Sequence, residues 1–140
     1  VLDAYAGIAT FGICVSDVAQ KVTSVEENAS SIAKAREVLE LNNIKNVDLF
    51  AQDTLKYLKS IKKKFDVIVL DPPRKGCTQE VLDETLLHAK SKIIYVSCNP
   101  ATLARDLKYL TEHGAKVDSI QPFDMFCHTY HIETVAIISQ

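Results

Sequence analysis

The sequence has 140 residues, of which 47% are apolar and 24% charged, and its formal net charge is −2. This composition is typical of one globular domain of ordinary size. It lacks the excess of basic residues that usually accompanies nucleic-acid binding. No apolar run approaches the roughly 20 residues that a membrane helix needs, so no membrane partner is predicted.

In chain order, the apolar runs predict strands at 1–5, 21–26, 47–51, 65–71, 92–98 and 133–139. Most runs are continuous rather than alternating, as expected for parallel strands that are covered on both faces. Helical patterns lie between them, at 28–42, 53–63, 78–90 and from Asn99 to Gly114. Asn28, Thr78 and Asn99 are suitable N-caps for three of these helices.

The segment 115–139 contains two extended runs without a helix between them. It therefore predicts an antiparallel pair of strands that closes the sheet, with 133–139 antiparallel beside the fifth strand. Together, these elements predict an α/β, doubly wound, Rossmann-like fold. We expect its sheet to have seven strands and to be mostly parallel.

Four cysteines lie far apart, without a CxxC pair or the spacing of zinc ligands: Cys14, Cys77, Cys98 and Cys127. They predict free thiols and a cytoplasmic location. His128 and His131 have no evident partner ligands, so no metal site is predicted. The chain opens directly on the strand-like segment VLDAY, from which we expect residues 1–140 to be one domain of a longer protein.

Ligands of doubly wound sheets bind at the carboxyl ends of the strands. The turn at 3–12 allows close backbone approach at Gly7, but Ala9 replaces the second glycine of a GxGxxG motif, and a simple packing turn is the alternative. Glu26 ends the second strand, where a carboxylate can accept both hydroxyls of a ribose. Asp53 follows the third strand and either contacts an adenine or caps the next helix. This pattern favours an adenosine-bearing cofactor without separating NAD from S-adenosylmethionine.

The fourth strand ends in DPPRKG, residues 71–76. The two prolines after Asp71 impose a rigid, extended exit from the strand. A methyltransferase needs such a wall, because the ring that receives the methyl group must be held in line with the sulfonium. Two prolines that merely end a strand are the alternative.

Cys98 ends the fifth strand at the same edge and precedes a helix, whose N-terminus stabilises a thiolate. A lone cysteine in an apolar strand is more often an inert core residue. Here it lies within a series of three motifs: DPPRKG, SCNPATLARDL (97–107) and DMFCHTYHIETV (124–135). This series favours a catalytic cysteine.

The three motifs resemble those of the S-adenosylmethionine-dependent RNA 5-methyluridine (uracil-C5) methyltransferases, over essentially the whole chain, as the C-terminal catalytic domain of that family. The resemblance implies methylation of uridine C5 in RNA through covalent addition of cysteine to C6. It implies Cys98 as the nucleophile and Glu133 as the base. It also implies cofactor contacts at these residues: Tyr5, Thr10, Glu26 and Asp71.

The resemblance implies ribosomal RNA as the partner, with transfer RNA as the alternative. Ala6 and Ala9 depart from the cysteine and glycine that are usual in the family's first cofactor loop, so that Ala9 either crowds the cofactor or shifts the loop. The family's RNA-binding region lies outside this chain, which leaves an inactive, cofactor-binding fragment as another alternative. An amino-group methyltransferase would instead carry an aromatic residue at the position of Arg74.

Overall fold

The computed structural model describes residues 1–125, 127–129 and 131–140, so Phe126 of the third motif lies outside the described residues. The strands are β1 Leu2–Ala4, β2 Val22–Glu26, β3 Val47–Ala51, β4 Phe65–Leu70, β5 Ala89–Ser97, β6 Lys116–Phe123 and β7 Glu133–Ser139. The helices are α1 Thr10–Cys14, α2 Ala29–Leu41, α3 Thr54–Ser60, α4 Gln79–His88 and α5 Pro100–Glu112.

The seven strands form one sheet in the order β3-β2-β1-β4-β5-β7-β6. The first five strands are parallel, and β7 runs antiparallel to both β5 and β6. The predicted fold class is therefore confirmed, including the antiparallel last strand beside the fifth. From β1 the strand order runs outwards to β2 and β3 on one side and to β4 and β5 on the other. The carboxyl ends of β1 and β4 therefore flank a crevice in which ligands of such folds bind.

The helices begin where the sequence provides caps. The Asn28 side chain accepts hydrogen bonds from the first backbone amides of α2, and the Thr78 hydroxyl accepts one from α4. The Asn99 side chain accepts a hydrogen bond from the amide of Ala101, and Pro100 occupies the first turn of α5, where a missing N–H costs nothing.

The predicted boundaries were wrong at α3, α4 and β5. Helix α4 ends at His88 rather than at 90, and β5 begins at once at Ala89 rather than at 92, without a connecting loop. The reason is the His88 imidazole, which is buried and lies 2.7 Å from the carbonyl oxygen of Lys63 through its Nδ1, so the helix end is fixed against the start of β4. Helix α3 ends at Ser60 rather than at 63, because Ile61 is already extended.

The main hydrophobic core lies between the sheet and the helices α3, α4 and α5. Its largest fully buried side chains include Tyr95, Leu58, Leu82 and Leu110. Smaller clusters on the opposite face join β1, β2 and β3 to α1 and α2. The strand ends that carry the predicted site are thus held between two layers of helices.

Candidate active site

The turn after β1 coils tightly, because three of its residues adopt left-handed backbone angles: φ is 60° at Tyr5, 56° at Gly7 and 62° at Ala9. Alanine adopts this conformation at a cost of about 1 kcal/mol. The Ala9 side chain is fully buried with Ala6 and Ala35. Its methyl group therefore packs into the core. The backbone at position 9 keeps the left-handed conformation that glycine favours, although alanine stands there.

The carboxylate of Asp3, on β1, joins this turn to the sheet. Its Oδ2 accepts hydrogen bonds from the Gly12 amide and the Ser24 hydroxyl, each at 3.0 Å. A Cβ atom on Gly12 would lie only 2.4 Å from the Ser24 oxygen, so this contact requires glycine. The Oδ1 atom of Asp3 is buried without a hydrogen-bond partner among the described residues, and burial raises the pKa of Asp3 to about 6. Sequence reasoning did not single out Asp3.

We expect the Asp3 carboxyl to make stability depend on pH. Because its pKa is raised on folding, the native state binds the proton more tightly, and this stabilisation is lost as pH rises from about 4 through 6. The free energy of unfolding of the wild type, relative to that of Asp3→Asn, should fall by up to about 3 kcal/mol over this window. Urea titrations of both proteins from pH 4 to 7.5 measure it.

Asp66 provides the control for that experiment. A hydrogen bond from Lys90 lowers the pKa of this exposed carboxyl, so its contribution is lost as pH falls. This loss occurs below about pH 4, so the difference between wild type and Asp66→Asn should stay nearly constant from pH 4 to 7.5. A pH-independent difference for Asp3→Asn would contradict a raised pKa at Asp3.

Glu26 ends β2 and lies against the turn, as the sequence predicted. Its Oε2 accepts a hydrogen bond from the Gly7 amide and its Oε1 accepts one from the Asn28 amide, both at 2.9 Å. The side chain is half-buried. Glu26 therefore holds the turn against the start of α2 while it keeps lone pairs for a further donor.

A cleft of about 180 Å³, here called the Tyr5 cleft, opens between the turn, the start of α3 and the loop after β4. Two residues predicted to bind the cofactor, Tyr5 and Asp53, line it. Asp53 also accepts a hydrogen bond from the Lys56 amide and so caps α3, which was the alternative role. The cleft is also lined by residues that sequence reasoning did not select, among them Glu27, Pro73 and Gly76.

A second cleft, of about 200 Å³, contains Cys98 and is here called the Cys98 cleft. Its other lining residues are Arg74, Asn99, Pro100 and His131. Arg74 Nη2 lies 3.5 Å from His131 Nε2. The cleft therefore brings together residues from all three sequence motifs, and the half-buried Cys98 thiol lies at the N-terminus of α5.

The position of Glu133 follows from the pairing of β5 with β7. In this antiparallel ladder Ser97 is opposite Thr134. Cys98 directly follows Ser97 and Glu133 directly precedes Thr134, so both residues adjoin the last pair of this ladder. The sheet thus brings the predicted nucleophile and the predicted base to adjacent strand ends, although 35 positions separate them in the sequence.

Carboxylates gather at this edge. Burial, reinforced by the negative charge of Glu133, raises the pKa of Asp71 to about 6. The charge of Asp71 in turn contributes to the raised pKa of Asp3. The ends of β1, β4 and β7 therefore form a region of negative potential. Thr10, another predicted cofactor contact, is exposed at the start of α1.

The sheet order, the coiled turn after β1 and the acidic strand ends define a Rossmann-like methyltransferase domain. A solved structure with this fold is a putative SAM-dependent methyltransferase from Streptococcus mutans, with a TM-score of 0.84 and 16% identity over 99% of this chain and 44% of that one. The family model for tRNA (uracil-5-)-methyltransferases matches residues 1–140. The chain belongs to that family, and the family predicted from the three motifs is confirmed.

Individual relatives agree with this assignment. An "Uncharacterized RNA methyltransferase" of Thermotoga maritima is 43% identical over 99% of this chain and 31% of its own length. The tRNA (uracil-54, C5)-methyltransferase of Pyrococcus abyssi, solved in complex with S-adenosyl-L-homocysteine, is 35% identical with a TM-score of 0.84, over 98% of this chain and 33% of that one. The chain thus spans about a third of these relatives, and the predicted cofactor class is confirmed.

The described residues include neither a candidate membrane-spanning helix nor a candidate metal-binding group. Within the part of the chain that the structure describes, no helix combines the length and apolar character needed to span a bilayer. Among the same residues, no group of three or more His, Cys, Asp or Glu side chains is arranged to hold a metal ion.

Proposed function

We propose that the full-length protein transfers a methyl group from S-adenosylmethionine to C5 of a uridine in RNA, with Cys98 as the nucleophile and Glu133 as the base. The observation that carries this proposal is the β5–β7 pairing, which puts Cys98 and Glu133 next to the same end of the ladder. A thiol and a carboxylate within reach of one ring are the groups that this reaction needs.

The residue types follow from the chemistry of uracil. C5 is a poor nucleophile, so the Cys98 thiolate adds to C6, and the electrons of the C5–C6 double bond make C5 enolate-like. When bound, S-adenosylmethionine supplies an electrophilic methyl group to that carbon. Glu133 then removes the remaining proton from C5, the double bond re-forms, and the C6–S bond breaks to release the thiolate. The target base must leave its stack to admit Cys98.

The charge of the strand ends favours S-adenosylmethionine over NAD. Carboxylates at Asp3, Asp71 and Glu133 raise the potential energy of any further negative charge, and the charge of Glu133 adds to the effect of burial in raising the pKa of Asp71. They repel the pyrophosphate of a dinucleotide and attract the sulfonium and ammonium groups of S-adenosylmethionine. In addition, α1 has only five residues and no side-chain cap, so it offers little of a phosphate-binding helix end.

We assign the adenosine end of the cofactor to the Tyr5 cleft. Tyr5 provides an aromatic wall there, and Asp53 provides acceptor oxygens at the entrance to α3. Glu26 lies next to this cleft, where its carboxylate accepts the ribose hydroxyls. Gly7 and Thr10 belong to the turn that approaches the cofactor, and Asp71 faces its positive end.

We expect Glu26→Ala to weaken S-adenosylmethionine binding at least about tenfold, because it removes charge-assisted hydrogen bonds to the ribose and also the anchor of the Gly7 amide. Calorimetric titration of the full-length protein measures the dissociation constant. Glu40→Ala, which replaces an exposed residue on α2 away from the site, is the control and should bind S-adenosylmethionine like the wild type. Equal affinity for Glu26→Ala and Glu40→Ala would remove Glu26 from the cofactor site.

The reaction itself is tested by incubating the full-length protein with RNA and methyl-labelled S-adenosylmethionine, followed by nucleoside analysis for 5-methyluridine. Ribosomal RNA is the substrate predicted from the motifs, and transfer RNA is the alternative that the Pyrococcus abyssi relative represents. Offering both substrates separately decides between them. Label in an amino group of a base would instead support the amino-methyltransferase alternative, and binding without transfer would support a binding module.

A further inference from the structure

Side chains of α5 bind the backbone of the loop at 71–78, which has no helix or strand of its own. The Asn99 amide and the Thr102 hydroxyl both donate to the carbonyl oxygen of Arg74, at 3.3 and 3.1 Å. The Arg105 guanidinium donates to two further carbonyl oxygens of the loop, at 2.9 and 3.2 Å. Spacings of three residues put these side chains on one face of α5, so the helix that begins after Cys98 also holds the proline-containing loop.

A buried carboxylate lies at the centre of this contact. Asp106 is only 1% exposed, and its Oδ1 accepts a hydrogen bond from Arg105 Nε at 2.8 Å. Its Oδ2 accepts hydrogen bonds from the Cys77 amide at 2.8 Å and from the Tyr95 hydroxyl at 2.6 Å. A Cβ atom on Gly76 would lie 2.5 Å from the same Oδ2. The loop therefore approaches Asp106 as closely as glycine allows.

The loop that Asp106 holds lines both clefts. Pro73, Lys75, Gly76 and Thr78 line the Tyr5 cleft, and Arg74 lines the Cys98 cleft. The backbone amide of Cys77 donates to Asp106 Oδ2 at 2.8 Å and lies 3.3 Å from the Tyr95 hydroxyl oxygen. The group of Arg105, Asp106, Tyr95 and the Cys77 amide is here called the Asp106 chain. It links the helix of the nucleophile to the loop that lines both clefts.

We propose that Asp106 is a positioning residue for methyl transfer, which through Tyr95 and the Cys77 amide holds the loop at 71–78, and with it the Tyr5 cleft, in place relative to α5 and Cys98. This inference rests on the proposed function. It assigns a role to three residues that touch neither the uridine nor the methyl group. It also gives a reason for the ARD sequence within the second turn of α5.

The physical basis is the rigidity of a buried polar network in which each member has a partner. Methyl transfer needs the donor and acceptor carbons within a narrow distance, and a displacement of about 1 Å can cost about 100-fold in rate. The Tyr5 cleft, which is proposed to hold the methyl donor, and Cys98 lie on different segments of the polypeptide. The Asp106 chain joins these segments, because the loop at 71–78 has no helix or strand of its own to fix its position.

The decisive comparison is between two tyrosine variants of the full-length enzyme. Tyr95→Phe removes the hydroxyl that joins Asp106 to Cys77, and we expect the KM for S-adenosylmethionine to rise about tenfold, the effect of one hydrogen bond. The KM for RNA should stay unchanged. Tyr109→Phe is the matched control, because it removes a hydroxyl of α5 that donates to Asp83 of α4 at 2.7 Å and does not belong to the Asp106 chain.

If Asp106 had only a structural role, the result would differ. The Tyr95→Phe substitution would then lower the melting temperature and the fraction of active enzyme, and with them kcat, but it would leave the KM for S-adenosylmethionine unchanged. An unchanged KM in Tyr95→Phe, or an equal rise in Tyr109→Phe, would overturn the proposal.

A second pair of variants decides the question if Tyr95→Phe does not fold. Arg105→Ala removes the guanidinium that donates to Asp106 and to the carbonyl oxygens of Lys75 and Cys77, whereas Lys108→Ala removes an exposed charge on the same helix that pairs with Glu112. We expect the KM for S-adenosylmethionine to rise in Arg105→Ala and to keep the wild-type value in Lys108→Ala. Equal values in the two variants would overturn the proposal.

Failure of the proposed function has a separate signature. If the wild-type full-length enzyme does not bind S-adenosylmethionine or does not methylate uridine, the proposed function fails, and this inference fails with it. If the wild type does both and all four variants share its KM for S-adenosylmethionine, only the positioning role of Asp106 fails.

Discussion

Replacing Cys98 with alanine in the full-length protein should lower methyl transfer to RNA by about 10⁴-fold or more, because without addition at C6 the C5 carbon stays unreactive. S-adenosylmethionine should still bind, since Cys98 lies in its own cleft and does not line the Tyr5 cleft. Transfer is measured with labelled S-adenosylmethionine in single-turnover reactions, and binding is measured by calorimetry.

The chain offers a matched control in Cys14, which is an exposed cysteine on α1. Cys14→Ala should keep wild-type activity and binding. Measurable transfer by Cys98→Ala at more than a few per cent of the wild-type rate would contradict the covalent mechanism. Loss of S-adenosylmethionine binding in that variant would instead indicate that the substitution disturbs the fold.

Replacing Glu133 with glutamine should have a different result, because the amide can occupy the same place at the start of β7 but cannot take the proton from C5. Addition and methylation proceed, and elimination stalls. Turnover should fall by about 10²- to 10⁴-fold, the usual contribution of a general base. A protein–RNA adduct that resists denaturation should accumulate, visible as a slowed band on a denaturing gel.

Two controls make this result specific to the base. Glu37→Gln, an exposed change on α2, should turn over normally without an adduct. In the double variant Cys98→Ala, Glu133→Gln, the band should disappear, because its covalent bond is to Cys98. RNA that contains 5-fluorouridine should trap the wild type in the same way, since fluorine does not leave as a proton does. A band that forms equally well without the thiol would contradict the proposal.

The sequence predicted those parts of the fold and site that depend on local pattern. Continuous apolar runs separated by capped helices fix the parallel strands, and the helix-free segment after Gly114 fixes the antiparallel end of the sheet. The positions of Cys98 and Glu133 at strand ends could be predicted because each belongs to a compact motif, whereas their roles as nucleophile and base stay predictions. The join between His88 and Ala89 could not be predicted, because it depends on a contact of the His88 ring with Lys63 across the fold.

The Asp106 chain escaped sequence reasoning for the same reason, since its members come from three separate segments. One signal was present nevertheless. Asp106 lies beside Leu103, Leu107 and Leu110 on the apolar face of α5, and all four side chains are buried. An acidic residue within such an apolar face has to be paired. A search for acids at core positions would have selected Asp106, and also Asp3 on β1.

The β5–β7 register, which puts Cys98 and Glu133 next to the same end of the ladder, also limits which changes in chain length relatives can tolerate. Side chains alternate between the two faces of a strand, so deleting one residue within β7 would turn Glu133 to the wrong face of the sheet. The described residues between β6 and β7 belong to no strand, and added or lost residues there leave the ladder intact. We therefore expect insertions and deletions among relatives to be absent from 133 to 139.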